Sequence, residues 1–215
     1  MSQVVKRSRG RPPVRSEDEA RRMLVEAAAH EFQVNGFAHA AMGAIAQAAG
    51  LSTRTIYQLV PTKAELFTLV ISDRISRFMV AVDDGGKDAL EPVEALTRIL
   101  TAYGNLTLSP ETTALTRLVI AEGERFPEIA VAFHGKAIKR TNQVIEAWLI
   151  RQRDEGHLDL PDPKAAAGML RGMMIMDPQR AVFMGLGKVP TTSQIAARAK
   201  VCASLFLRGC QAPAS

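Results

Sequence analysis

Arg54 and Gln58 lie one helical turn apart, Thr55 and Tyr57 stand between them, and Lys63 follows shortly after. These side-chain types suit double-stranded DNA. A guanidinium bonds guanine bidentately, a carboxamide does the same for adenine, and hydroxyl or ammonium groups hold phosphate. At about 100° per residue, turning Ile56 inward also turns Leu59 and Val60 inward. Arg54 and Gln58 are then left outward, with Thr55 and Tyr57 on the flanks. Lys63 is expected at a helix start, where its charge and the free backbone N–H groups both favour an anion such as phosphate.

Such a reading head needs a helix-turn-helix to present it, and residues 42–60 have that layout. Met42, Ile45, Ala46 and Ala49 make the inner face of a short helix, Gly50-Leu51 ends it, and Ser52 is placed to cap the next. That third helix runs to about Val60, where Pro61 halts it. Upstream, Ser16-Glu-Asp-Glu19 reads as a capping box opening a first helix. Leu24, Ala27, Ala28 and Phe32 recur along it, and Asn35-Gly36-Phe37 stops it. Downstream, Thr62-Lys-Ala-Glu65 is a second capping box. It opens a long fourth helix with Phe67, Val70, Ile71, Ile75, Phe78 and Val82 on one stripe, closed by Gly85-Gly86.

From residue 90 onward every segment has helical periodicity, punctuated by Pro92, Pro110, Pro127, Gly156, Pro163, Pro178 and Pro190. No alternating, β-branched stretch suggests a strand. The expectation is an all-α fold of roughly nine helices. It comprises a disordered basic arm (1–15), a helix-turn-helix DNA-binding domain (16–62) and a helical ligand-binding and dimerisation domain (63–215).

The chain has 215 residues, 47% hydrophobic and 23% charged, an ordinary globular composition. Its formal charge of +5 is uneven, because Lys6, Arg7, Arg9, Arg11 and Arg15 all precede the first acidic residue, Glu17. Within that arm, Arg9-Gly10-Arg11-Pro12 resembles the core of an AT-hook, which lays two arginines in a narrow minor groove. Cys202 and Cys210 are eight residues apart on one expected helix and cannot close a disulfide without breaking it. That suits a reducing cytoplasm. No apolar run approaches the roughly 20 residues that span a bilayer, so no membrane partner is expected.

Tyr103, Phe133 and Trp148 fall on expected inner faces and are candidates to line an apolar effector cavity. Met169, Met173 and Met176 recur at helical spacing; such a stripe serves core or dimer packing, or a plastic pocket that would include Met173. His30, His39, His134 and His157 share no metal-ligand spacing, so no metal or cofactor is expected. Gly185-Leu186-Gly187 follows no strand, which argues against a dinucleotide loop.

The run Ala28-Ala29-His30-Glu31-Phe32 to Gly36-Phe37, then Ile45-Ala46, Ala49-Gly50-Leu51-Ser52, Thr55-Ile56-Tyr57 and Lys63-Ala64-Glu65-Leu66-Phe67 resembles the DNA-binding domain of the TetR family of repressors. The segment Arg117-Leu-Val-Ile-Ala-Glu-Gly-Glu-Arg-Phe-Pro127 is also similar to a C-terminal domain of one branch of that family. The resemblance implies a homodimer whose first three helices grip DNA, whose fourth links head to body, and whose last two long helices form a four-helix interface. It carries operator contacts onto Thr53, Arg54, Thr55, Tyr57, Gln58 and Lys63, of which Thr55, Tyr57 and Lys63 also match in type. Ala41 stands where the family has a Ser or Thr cap, and His39 is the side chain expected to compensate. Leu59-Val60 replace the usual His-Phe or Tyr-Phe pair.

The expected function is therefore a sequence-specific transcriptional regulator, a repressor released from a palindromic operator by a small-molecule effector. Its expected dimer face is Met169 with Ile195, Ala199, Cys202 and Phe206. Two rivals stand beside it: a sequence-nonspecific architectural DNA binder, favoured by the basic arm, and a small all-α enzyme. An enzyme would need a convergent pair of ionisable groups, and none is evident.

Overall fold

The computed structural model describes residues 16–83 and 90–210. Among these residues ten α-helices follow in chain order: α1 (Glu17–His39), α2 (Met42–Ala49), α3 (Thr53–Leu59), α4 (Lys63–Asp83), α5 (Pro92–Thr107), α6 (Pro110–Glu122), α7 (Pro127–Phe133), α8 (Lys139–Asp154), α9 (Pro163–Phe183) and α10 (Thr192–Gly209). A π-helical turn, His134–Ile138, joins α7 to α8 without a break, so the ten segments form nine rods. Among the described residues there is no β-strand, and the all-α expectation holds.

Side-chain oxygens set most of the helix starts. Ser16 accepts the Glu19 N–H, Ser52 that of Thr55, Thr62 that of Glu65, Ser109 that of Thr112 and Asp162 that of Ala165. Each satisfies one backbone donor that a helix start leaves without a partner. Thr191 and Gln194 complete a full capping box at α10. Pro92, Pro110, Pro127 and Pro163 stand in the first turns of their helices, where a missing N–H is harmless.

Pro178 departs from the sequence expectation, since it lies inside α9 rather than ending it. Proline supplies no N–H to the carbonyl four residues back, here Met174. The Arg198 guanidinium of α10 fills that gap: its Nε donates to Met174 O at 2.8 Å and its Nη2 to Met173 O at 2.7 Å. The helix continues, and α9 and α10 are fastened together at that level.

Two apolar cores form. One joins the head to the near half of the body, with Leu24, Phe32, Ile45 and Ile56 meeting Phe67 and Val70 of α4 and Leu115, Leu118 and Ile129 of α6 and α7. The other fills the far half with Leu96, Leu100, Ile145, Leu149, Leu170 and Ala199. The head's core thus runs past residue 62 into α4 and draws on α6. The two expected stop signals in the head both use left-handed glycines. Gly50 (φ 63°) ends α2 with Leu51 N–H bonded back to Ala46 O at 3.0 Å. Gly36 (φ 71°, ψ 176°) kinks α1, after which one more turn runs to His39.

Candidate nucleic-acid interface and effector cavity

On α3 the burial pattern follows the helical phase. Ile56 is fully buried and Val60 nearly so, whereas Thr53, Arg54, Tyr57 and Gln58 are exposed. Tyr57 is half exposed, a large aromatic held in solvent beside a polar stripe. From Phe32 to Ala64 the sequence contains no Asp or Glu, so nothing on α2 or α3 repels a phosphate backbone. Thr55 is only partly exposed, and its hydroxyl lies 2.7 Å from that of Ser52. It supports the cap of α3 as well as flanking its exposed stripe. Arg9 and Arg11 lie outside the described residues, as do Gly85 and Gly86.

Two of the expected head features need correction. Ala41 leaves α2 without a side-chain cap, and the partner of its backbone N–H is the Glu31 carboxylate of α1 at 3.2 Å rather than His39. Lys63 does not simply project toward solvent. Its Nζ donates to Ala38 O at 3.1 Å and Ala40 O at 3.0 Å and sits over the Phe37 ring, 4.9 Å from the centroid. An ammonium has three donors, so two are already committed to closing the end of α1.

The same turn is held from the other side by a residue that sequence reasoning missed. Glu122, the last residue of α6, accepts the Phe37 N–H at 3.0 Å and the Ala38 N–H at 2.8 Å. A Cβ on Gly36 would lie 2.5 Å from Glu122 Oε1, so this approach needs glycine at 36 on grounds of space as well as φ. The rings of Phe32, Phe67 and Phe126 surround Phe37 at centroid distances of 5.1–5.9 Å. Lys63 of α4 thus holds the carbonyls of residues 38 and 40, and Glu122 of α6 holds the N–H groups of 37 and 38. Arg117, one and a half turns earlier on α6, donates to the carbonyls of Val182 and Phe183 and so ties α6 to the end of α9. The segment from Arg117 to Pro127 thus carries the Arg117 and Glu122 bonds and the Phe126 ring against Phe37.

Between α4, α5, α6, the π turn and α9 lies a cavity of about 200 Å³. Tyr103 and Phe133 both line it, as do Ile71 and Ile75 of α4 and Thr112 and Thr116 of α6. The π turn shapes one wall through Ala137 and Ile138, and Thr141 Oγ1 donates to both of their carbonyls. Two basic residues also reach it: Arg171 of α9, whose Nε donates to Tyr103 Oη at 3.2 Å, and Arg74 of α4. The other expected lining residues lie elsewhere. Trp148 borders a second cleft of about 270 Å³ near the far end of α4, with Arg98, Arg140 and Arg151. Met173 faces outward, because the inward positions of that stretch are Leu170 and Met174.

The expected dimer face on α10 is also corrected. Ile195, Ala199 and Cys202 are buried within the protomer, and Phe206 packs against the same core. The outward stripe of α10 is Ala197, Val201 and Leu205, and that of α9 contains Met169, Met173 and Met176. Met169 is thus the one residue of the expected face that is exposed. Both cysteines are free. Burial pushes the Cys202 thiol above its ordinary pKa, and burial with the Asp159 charge does the same to Cys210. Among the described residues no helix is long and apolar enough to cross a membrane, and no three His, Cys, Asp or Glu side chains gather to hold a metal ion.

Two family models match the chain. Bacterial regulatory proteins of the tetR family match residues 24–70, and the AefR-like transcriptional repressor C-terminal domain matches residues 94–211. The structure is similar to that of a TetR-family transcriptional regulator from Mesorhizobium loti (TM-score 0.78, 22% identity), covering 92% of this chain and all of that one. It is similar to the flavonoid-responsive regulator FrrA (TM-score 0.71, 25% identity), again over 92% of this chain and 100% of the other. It also resembles FadR from Bacillus subtilis, solved with stearoyl-CoA (TM-score 0.69, 17% identity, 87% and 98% coverage). A comparison with curated protein sequences gives no match.

Proposed function

Since the chain belongs to the TetR family of bacterial transcriptional regulators, we propose that it is a homodimeric repressor whose grip on a palindromic operator is released by a small molecule. The observation that carries this reading is the turn at residues 36–40, held jointly by Lys63 of α4 and Glu122 of α6. Helices α4 and α6 also wall the 200 Å³ cavity. A ligand entering that cavity pushes on the two elements that fix the head.

In this reading α3 enters the major groove with Arg54 and Gln58 on base edges and Thr53, Thr55 and Tyr57 on phosphate. Lys63 contributes its remaining donor and a positive field, while the arm bearing Arg9 and Arg11 follows the neighbouring minor groove. The outward apolar stripes of α9 and α10 pair with their copies in the partner. The dimer sets the two reading heads roughly 34–36 Å apart, one turn of DNA. Ligand acts only through a difference in affinity for the released and operator-bound forms, and a change in head spacing supplies that difference. The relatives lend support of the same kind: one is called flavonoid-responsive and another was solved with stearoyl-CoA.

The test is selection of bound sequences from random duplexes at stated salt, with an Arg54→Ala/Gln58→Ala double variant in parallel. Enrichment of a palindrome that the variant no longer selects supports the reading. Uniform, salt-sensitive binding unchanged in the variant overturns it in favour of an architectural DNA binder.

A further inference from the structure

The polar groups of the α4–α6–α9 cavity are unbalanced in a way that specifies the charge of its occupant. Arg171 and Arg74 both line it, and no Asp or Glu does. Among the described residues neither arginine has an ion-pair partner within 4.0 Å. Arg74 Nε is buried without any acceptor. Such a donor carries a desolvation cost that an incoming acceptor removes. Arg74 also lines a separate depression that contains Glu26 and Glu111, and neither makes such a pair with it.

Arg171 is fixed rather than loose. Its Nε donates to Tyr103 Oη, and its guanidinium lies 5.4 Å from the Tyr103 ring centroid. Because the Tyr103 oxygen accepts that bond, its own proton is left to donate, and among the described residues no acceptor for it occurs. A buried hydroxyl proton and two guanidinium groups therefore border a chamber whose other walls are apolar, as at Ile71, Ile75, Leu115 and Phe133, or carry neutral Thr and Gln side chains; the Thr116 and Thr141 hydroxyls are already spent on carbonyls of their own helix turns. The arrangement offers donors and positive charge against a lining that is otherwise uncharged and largely apolar.

The geometry points to an effector that is a small organic anion: a carboxylate on a compact, mostly apolar or aromatic body. This rests on the reading of the cavity as the effector site. Size limits the body. A cavity of ~150 Å³ takes benzene, and this one, at about 200 Å³, accepts one ring with short substituents without rearrangement. Carboxylate geometry matches the fork of a guanidinium, which an amide of the same shape cannot exploit as fully.

The experiment is calorimetric titration of the full-length protein with benzoate, trans-cinnamate and 4-ethylbenzoate, each beside its primary amide. Anisotropy of a labelled operator is followed in the same samples. At least one acid should bind ten-fold or more tightly than its amide. Arg171→Gln and Arg74→Gln should each weaken that acid about 10- to 100-fold and close the gap to the amide, while Arg171→Lys should retain part of the preference. Arg98→Gln, in the far cleft, should leave binding unchanged. The inference is overturned if amides bind as well as acids, if no acid binds, or if binding depends on Arg98 instead. Release of operator by a neutral amide would sink the anionic class and keep the effector cavity. Acid binding that leaves operator affinity unchanged would keep the anion site and sink the regulatory reading.

Discussion

Removing the Glu122 carboxylate should loosen the DNA head at one defined point. It accepts the Phe37 and Ala38 N–H groups at 3.0 and 2.8 Å in a half-buried setting. A hydrogen bond to a charged group contributes about 1.5–3 kcal/mol, and water can replace part of that where the site is half open. Glu122→Ala should therefore lower stability by about 2–3 kcal/mol. Glu122→Gln keeps one neutral acceptor oxygen and should lose roughly half as much, about 1–1.5 kcal/mol. For a chain of this length about 1 kcal/mol moves Tm by ~2–4 °C, which gives decreases of ~4–12 °C for alanine and ~2–6 °C for glutamine. Calorimetry at fixed protein concentration measures this, because the Tm of the proposed dimer would vary with concentration. Amide hydrogen exchange localises it: Phe37 and Ala38 should lose protection in Glu122→Ala more than Thr55, whose N–H is capped by Ser52 in the same head. A Tm within 1 °C of the native value, with exchange at residues 37 and 38 unchanged, would refute the reasoning.

Gly36→Ala should destabilise by ~1–3 kcal/mol from backbone strain alone, with the clash against Glu122 added. In urea unfolding its effect should shrink when Glu122 is already alanine, since that removes the obstructing oxygen. Leu205→Glu places a charge on the outward stripe of α10, where Leu205 is 59% exposed. It should yield folded monomers of 23.3 kDa by light scattering, and a dimeric mass would exclude that stripe from the interface. The raised thiol of Cys202 makes it slow to react with disulfide reagents in the folded protein. Because the unfolded thiol ionises first, near its ordinary 9.0, the stability it contributes is intact below that pH and lost as pH rises toward the folded value. An alkaline titration that finds Cys202→Ser equally sensitive would assign the loss to other groups.

The head was legible because its signals are local. Ser16, Ser52 and Thr62 cap helices within three residues of themselves, and Gly36 and Gly50 take φ values that few other residues tolerate. The phase of α3 followed from Ile56 alone. The face of α10 was not legible, because its inward stripe (Ile195, Ala199, Cys202) and its outward stripe (Ala197, Val201, Leu205) are both apolar. Periodicity cannot choose between two apolar stripes. Trp148 and Phe133 looked alike as inward aromatics, and only the packing sends them to different cavities. Glu122 was hidden by distance: the family-like segment Arg117–Pro127 contains it, but it bonds backbone 85 residues away and nothing in that segment says which backbone it holds. Arg171 was masked by the methionine stripe around it, although a lone cation among Gly, Met and Leu is a signal worth reading. Pro178 misled for a clear reason: a distant arginine, Arg198, supplies the donors that its carbonyl partner loses.

Ligand responsiveness is the central claim, and linkage tests it most directly. The acid that binds best in calorimetry is titrated into the free protein and into protein saturated with the selected operator. Because coupling between two sites is reciprocal and commonly 5- to 150-fold, the account predicts binding at least about five-fold weaker on the operator complex, matched by an equal loss of operator affinity when the acid is saturating. Equal affinity for free and operator-bound protein would contradict it, leaving a DNA-binding protein with a cavity that plays no part in its control.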